Sequence, residues 1–264
     1  MGVVTQAAGP AALVILDWPE KRNALGPEQA GELAAALRTA AADPSVRGVV
    51  ITGNGAFCAG GDIKGMVARA DMPPEERRAL VYSAYQGLIR AVVELPVPTV
   101  AAVDGPAVGM GFDLALACDS RFIGPEGWCR QGWARLGLIP GTGGELLLRT
   151  RAPGALWQLL DGQPKVNADL AERLGIGEGT GERTAREMAL QRVESYAAYS
   201  RAVLAGYVRL NRSELRARLA DHQADCLAVQ LELLADPEFR NRAGGVLAKD
   251  PVAGPPERSR QQPS

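Results

Sequence analysis

With 264 residues, 47% of them hydrophobic, the chain is long enough to bury the core of one α/β domain with a helical appendage. A net charge of −1 offers neither a nucleic-acid-binding stripe nor a polybasic membrane patch, and no apolar run reaches membrane-spanning length. Four cysteines without a CxxC spacing and a single histidine, His222, argue against a zinc site or disulfide framework and, with no basic-then-apolar leader, predict a soluble cytoplasmic protein. In chain order, Leu13-Val14-Ile15-Leu16 and Val49-Val50-Ile51-Thr52 read as strands flanking a helix over 26–42, amphipathic through Leu33, Ala36 and Leu37. Helices also fit 74–95, 113–118 and 142–148. After Gly162 the pattern turns helical, with long amphipathic segments over 183–206 and 213–234. The tail 251–264, rich in Pro, Arg, Gln and Ser, reads as disordered. This division predicts a core over 1–195, a helical region over 196–250 and the tail beyond it.

Two segments share one local design. Ala56-Phe57-Cys58-Ala59-Gly60-Gly61-Asp62-Ile63-Lys64 follows the apolar run 48–53, and Gly105-Pro106-Ala107-Val108-Gly109-Met110-Gly111-Phe112-Asp113 follows the run 98–103. Each reads as strand, Gly-rich turn and helix, which leaves free backbone N–H groups at a helix N-terminus. Two such turns from parallel strands can aim one N–H each at a single oxygen, forming an oxyanion hole from backbone alone.

These two segments, with Pro19-Glu20-Lys21-Arg22-Asn23-Ala24-Leu25 before them and Leu136-Gly137-Leu138-Ile139-Pro140-Gly141-Thr142-Gly143-Gly144 after them, resemble the crotonase, or enoyl-CoA hydratase/isomerase, superfamily. The four blocks match in order and spacing over roughly 10–165. The resemblance implies an α/β spiral of repeated ββα turns with a C-terminal helical region that drives assembly into a homotrimer or a dimer of trimers. It implies an acyl-CoA or acyl-carrier-protein thioester as substrate, with coenzyme A entering only as part of that substrate and no separate cofactor, metal, nucleic acid or membrane. It assigns the oxyanion donors to the N–H groups of Gly61 and Met110, and lines the site with Ala59, Asp62, Ile63 and Gly109. Lys21, Arg22 and Ala24 then border the CoA region, and Phe239 and Lys249 lie where late helices contact the nucleotide.

Such a hole stabilises an enolate, whether formed by α-proton removal, by addition at the β-carbon or by loss of a substituent; it does not select among them. The acid or base does that, and here the chain departs from the two-glutamate hydratase pattern: Asp113 stands at the first position and Trp133, 20 residues on, at the second. Asp113 lies three residues past Met110, about one helical turn, so it can face the same cavity; its simpler role is to stabilise the helix dipole. The segment around it is similar to the dienoyl-CoA isomerase branch, which also carries Asp there. Trp133 moves no proton at neutral pH but can donate one hydrogen bond and stack on an acyl group, or serve only as core. Glu145 fits a helix-start acid better than an acyl-pocket group, and His222, late in the chain, is not read as catalytic. The expectation is therefore an acyl-thioester enzyme with Asp113 as acid/base: isomerase, non-standard hydratase, decarboxylase or C–C bond hydrolase, in that order. A non-catalytic acyl-CoA-binding relative and a scaffold that binds no thioester remain as alternatives.

Overall fold

Apolar runs bounded by Gly and Pro in the first half of the chain become the strands of a parallel-rich sheet in the computed structural model, which describes residues 2–248. The chain passes through β1 (Gly2–Ala8), β2 (Ala11–Asp17), α1 (Pro27–Ala42), β3 (Gly48–Gly53), α2 (Ile63–Ala68), α3 (Pro74–Arg77), α4 (Ser83–Glu94), β4 (Thr99–Val103), β5 (Pro106–Val108) and α5 (Met110–Ala117). It continues through β6 (Ser120–Ile123), β7 (Trp128–Arg130), α6 (Gly144–Arg151), α7 (Ala155–Leu160), α8 (Ala168–Leu174), β8 (Glu178–Gly179), α9 (Ala185–Ser195), α10 (Arg201–Asn211), α11 (Ser213–Ala235) and α12 (Pro237–Ala248).

The larger sheet runs β1-β2-β3-β4-β6-β8, parallel throughout except for the antiparallel β1 edge. Parallel neighbours need crossovers, and α1, then α2 to α4, then β5 and α5 supply them. A second, two-stranded parallel sheet pairs β5 with β7. Every residue of β3 and β4 is buried, so these strands carry continuous apolar runs rather than an alternating pattern. One face packs on α1, α4 and α5 through Leu33, Leu37, Leu88 and Leu114. The other is closed by α9, whose Ala185, Ala189 and Val193 meet Val50, Val100, Ala102 and Phe122. Among the described residues no helix is long and apolar enough to cross a membrane.

The predicted helices form, with shifted limits. The 113–118 helix begins at Met110, three residues earlier, because Gly109 takes the positive φ of 53° that turns the chain into α5. The expected single helix over 183–206 is two helices, α9 and α10, since Ser200 caps a fresh start by accepting the Val203 N–H. The tail 251–264 lies outside the described residues.

The helical region is tied to the sheet by Arg212, between α10 and α11, whose side chain is fully buried. Its Nε donates to Asp119 Oδ1 at 2.8 Å and its Nη2 to Asp119 Oδ2; Nη1 donates to the carbonyls of Val92, Val93 and Leu95 at 3.0 Å each. Nη2 also reaches Val97 O and Thr99 Oγ1. The planar fork thus satisfies the end of α4, the start of β4 and a carboxylate at once, which lysine cannot do. Burial raises the Asp119 pKa, but the hydrogen bonds and charge of Arg212 outweigh it and hold the group below its ordinary value.

Arg212→Met should therefore destabilise the fold by about 3–5 kcal/mol in urea denaturation, because it strands Asp119 and four carbonyls. Because the folded pKa of Asp119 is depressed, its contribution is present above the unfolded value and is lost as pH falls through the folded one. Arg212→Met should accordingly show a shallower loss of stability on acidification below pH 4 than the parent.

Candidate active site

Three chain segments lie side by side here, held by backbone hydrogen bonds. Arg22 and Asn23 both take positive φ, 52° and 58°, a conformation asparagine tolerates better than most residues. The fully buried Asn23 side chain accepts the Trp18 N–H at 2.8 Å and donates to Ala56 O at 2.6 Å and Asn54 O at 3.3 Å. Ala59 N–H then donates to Arg22 O, Leu25 N–H to Gly60 O, and Asp62 N–H to Leu25 O. On the other side Cys58 N–H donates to Pro106 O and Val108 N–H to Cys58 O, each at 3.0 Å. The two Gly-rich turns are thereby laid in parallel.

Gly60 shows why the contact demands glycine: its φ is 107°, and a Cβ there would sit 2.7 Å from Val108 O and 3.8 Å from Met110 N. The bridge between Leu25 and Gly61 uses atoms of Gly60 and Asp62, leaving the Gly61 N–H outside it. Met110 opens α5, and its N–H belongs to the first turn, which has no intrahelical acceptor.

Gly61 and Met110 both line a cavity of about 390 Å³. Ala59, Ile63, Gly109 and Trp133 line it as well, together with Met66, Trp128, Arg130, Arg135, Leu136 and Val246. A groove that shares Arg22, Ala59, Gly61, Ile63 and Val246 with the cavity carries Lys21, Ala24, Asp62 and Lys64. The Lys21 ammonium lies 5.7 Å from the Trp18 ring centre, and Asp62 caps α2 by accepting the Gly65 N–H at 3.1 Å. Phe239 is a correction to the sequence reading: it is fully buried on α12 within the main core and offers no surface to a ligand. An aromatic on an amphipathic helix packs inward when the inner face is where it falls. Lys249 lies outside the described residues.

Asp113 is 3% exposed and does not line the cavity. Its Oδ2 accepts the Trp133 indole N–H at 2.9 Å and the Thr142 hydroxyl at 2.6 Å, so the indole, itself part of the cavity wall, covers it. Its Oδ1 packs on Gly144, where a Cβ would stand only 2.0 Å away. Burial pushes the carboxyl up to about 7, against the lowering effect of the Thr142 and Trp133 hydrogen bonds. Thr142 is held from α11: Gln223, fully buried, donates to Thr142 O at 2.8 Å, and Gln86 donates to Gly141 O and Gln223 O, both at 2.9 Å. Glu145 does sit in the first turn of α6, where it pairs with Arg149 at 2.9 Å and His222 at 3.2 Å.

Sequence reading missed Thr142, Arg130 and Arg135. Thr142 was visible only as part of a Gly-rich turn, and no spacing rule joins it to Asp113, 29 residues away. Arg130 and Arg135 were two arginines among many. Among the described residues of the cavity wall there is no carboxylate, histidine, cysteine or tyrosine.

The chain is 42% identical to a probable enoyl-CoA hydratase (EchA14) of Mycobacterium tuberculosis over 144 residues, 54% of each chain, and 33% identical to a crotonyl-CoA hydratase of Syntrophomonas wolfei over 177 residues, 66% of each. It thus spans about half to two thirds of the length of these curated relatives. The fold superposes on an enoyl-CoA hydratase from Bacillus halodurans with TM-score 0.86 at 21% identity, covering 93% of this chain and 100% of that one. A second solved structure, described as a putative enoyl-CoA hydratase from Mycobacterium avium paratuberculosis, gives TM-score 0.83 at 29% identity over 94% and 97% of the two chains. The family model for enoyl-CoA hydratase/isomerase matches residues 7–234, and the chain therefore belongs to the enoyl-CoA hydratase/isomerase family, with the spiral crotonase fold.

Proposed function

We propose that the cavity binds an acyl thioester, CoA-linked or carrier-linked, with its carbonyl oxygen on the Gly61 and Met110 N–H groups, and that the enzyme works through the resulting enolate. The observation that carries this reading is the convergence of two Gly-rich turns on one cavity, stitched by the Cys58–Ala107 bridge so that an added Cβ at Gly60 would lie 3.8 Å from Met110 N. Preorganised N–H donors of this kind lower the barrier by roughly 2.7–4 kcal/mol each, because they need no reorientation as charge develops. Lys21, Arg22 and Lys64 outnumber Glu20 and Asp62 on the adjoining groove and supply positive charge for the phosphates of CoA.

Asp113 is the acid/base of this reading, serving an isomerase or a non-standard hydratase. Its pKa near 7 is suited to taking and returning a proton at neutral pH, and it sits on the same helix as the Met110 donor. Productive transfer requires the Trp133 indole to swing off the carboxylate. A second reading is favoured by that same hydrogen bond: Asp113 positions Trp133 and Thr142, and the enolate forms without a protein base, as when the substrate loses a carboxylate. The α10 region supports assembly as a trimer or dimer of trimers: Tyr199, Val203, Tyr207 and Leu210 are all exposed, the last three at helical spacing on one face.

Replacing Gly61 by Pro deletes the donor itself and should lower kcat by about 10²-fold or more, whereas Met110→Leu keeps its N–H and should be far milder. Steady-state kinetics on a panel of enoyl thioesters checks this, and equal losses would reject the donor assignment.

For the acid/base reading, Asp113→Asn should reduce kcat by about 10²–10⁴-fold with little change in thioester affinity, and Trp133→Phe should mainly alter substrate choice. Acting as the base, Asp113 must be ionised, so kcat/KM should rise with pH to a plateau above about 7, and the Asn variant should lose that limb. If Asp113→Asn and Trp133→Phe instead give matching losses in affinity with kcat preserved, the positioning reading holds. Sedimentation at micromolar concentration should show a trimer or hexamer; a monomer alone would count against the assembly.

A further inference from the structure

The cavity wall is mostly apolar, yet it carries more positive charge than an acyl chain needs. Three arginines line it, Arg22, Arg130 and Arg135, and the described lining residues include no acid. Arg22 also lines the adjoining groove, on the side assigned above to the nucleotide, whereas Arg130 and Arg135 belong to the cavity and not to that groove.

Arg130 is held in place. It ends β7, its backbone carbonyl accepts the Gly109 N–H at 2.9 Å, and its guanidinium stacks 5.2 Å from the Trp128 ring centre, a ring that the Lys165 ammonium approaches to 4.6 Å. The charge is thereby fixed relative to the turn that starts α5 at Met110. Its Nε is buried and has no hydrogen-bond partner among the described residues, so contact with a ligand falls to the guanidinium nitrogens at the end of the fork. Burial first, and then the neighbouring Arg135 charge, lower the Arg130 pKa, and a bound anion would offset the repulsion between the two cations.

We propose that the acyl group carried by the thioester bears a second, terminal carboxylate, bound by Arg130 and Arg135, so that the enzyme selects dicarboxylic over simple fatty acyl thioesters. This rests on the thioester reading of the cavity and deepens it. A guanidinium fork matches a carboxylate in shape as well as charge, and the half-buried Arg130 is screened less by solvent than the exposed Arg135. The phosphates of CoA offer another anion of similar affinity for arginine, and the test separates the two sources.

Titration calorimetry of the full chain with saturated, unreactive thioesters reads this directly: glutaryl-CoA against pentanoyl-CoA, and the same two acyl groups on pantetheine, which has no nucleotide and no phosphate. Glutaryl should bind at least about tenfold more tightly than pentanoyl in both series, with the ratio shrinking as salt rises. Arg130→Gln should bring the ratio toward one, and Arg130→Lys, which keeps the charge but loses the fork, should retain part of it. Circular dichroism of the variants checks that they fold. Equal binding of the two acyl groups by the parent protein, or an unchanged ratio in both Arg130→Gln and Arg135→Gln, would overturn the proposal while leaving the thioester site standing. A preference visible only between CoA and pantetheine forms, and lost in Arg130→Gln, would assign these arginines to phosphate and overturn it too. Failure of every thioester to bind would overturn the thioester site itself and this inference with it.

Discussion

Everything at the site depends on a short run of parallel backbone pairing that lies outside the main sheet. Leu25 bonds to Gly60 and Asp62, on either side of Gly61, and Cys58 bonds to Pro106 and Val108, on either side of Ala107, so three loops behave as a small sheet layer. Backbone hydrogen bonds hold distances to a few tenths of an ångström in a way that flexible side chains do not, and the oxyanion hole proposed above would need that precision because its donors act on charge that exists only in the transition state. Asn23 extends the same logic by tying Trp18 of its own segment to Ala56, at the start of the first Gly-rich turn, with one amide. Gly60 is there because any side chain would collide with the Val108 carbonyl of the opposing turn.

Behind this layer the balance is electrostatic. A carboxylate with almost no exposure sits under an indole and a hydroxyl that both donate to one of its oxygens, and yet desolvation outweighs them, leaving it near neutrality in pKa. Two neutral donors return only part of the hydration energy of an ionised group. In front of it the cavity wall carries arginines and, among its described residues, no acid. The cavity thus presents positive charge to a ligand, while the Asp113 carboxylate behind it cannot be reached without moving Trp133. In the reading proposed above, such a division suits chemistry in which a substrate anion is bound at one end while negative charge grows at the thioester oxygen at the other.

The helical half of the chain serves the site from a distance. Arg212 locks the α10–α11 junction to the sheet through Asp119 and the carbonyls that close α4, and with that junction fixed, α11 brings Gln223 against the loop that presents Thr142. The placement of the Asp113 hydrogen-bond partner thus depends on a helix roughly a hundred residues later in the chain, which is why the late helices are part of the site's support rather than an accessory.

Much of this was legible in the residues themselves. β-Branched runs, paired glycines and a change of period are local signals, set by steric limits on a few consecutive φ and ψ angles, so both strand–turn–helix segments and most helices follow from the order of residues alone, whereas the choice of Gly61 and Met110 as donors rests on the family resemblance. Four ordered blocks were enough to indicate the family. What the sequence could not carry was contact at long range. That Trp133 covers Asp113, that Thr142 shares its oxygen, that Phe239 turns into the core and that Arg130, a cavity-wall residue, keeps a buried Nε all follow from packing between segments tens of residues apart. No rule of spacing links such residues; only the closing of the spiral brings them together, because side-chain contacts there are selected by the volume left between elements rather than by the chain's local preferences.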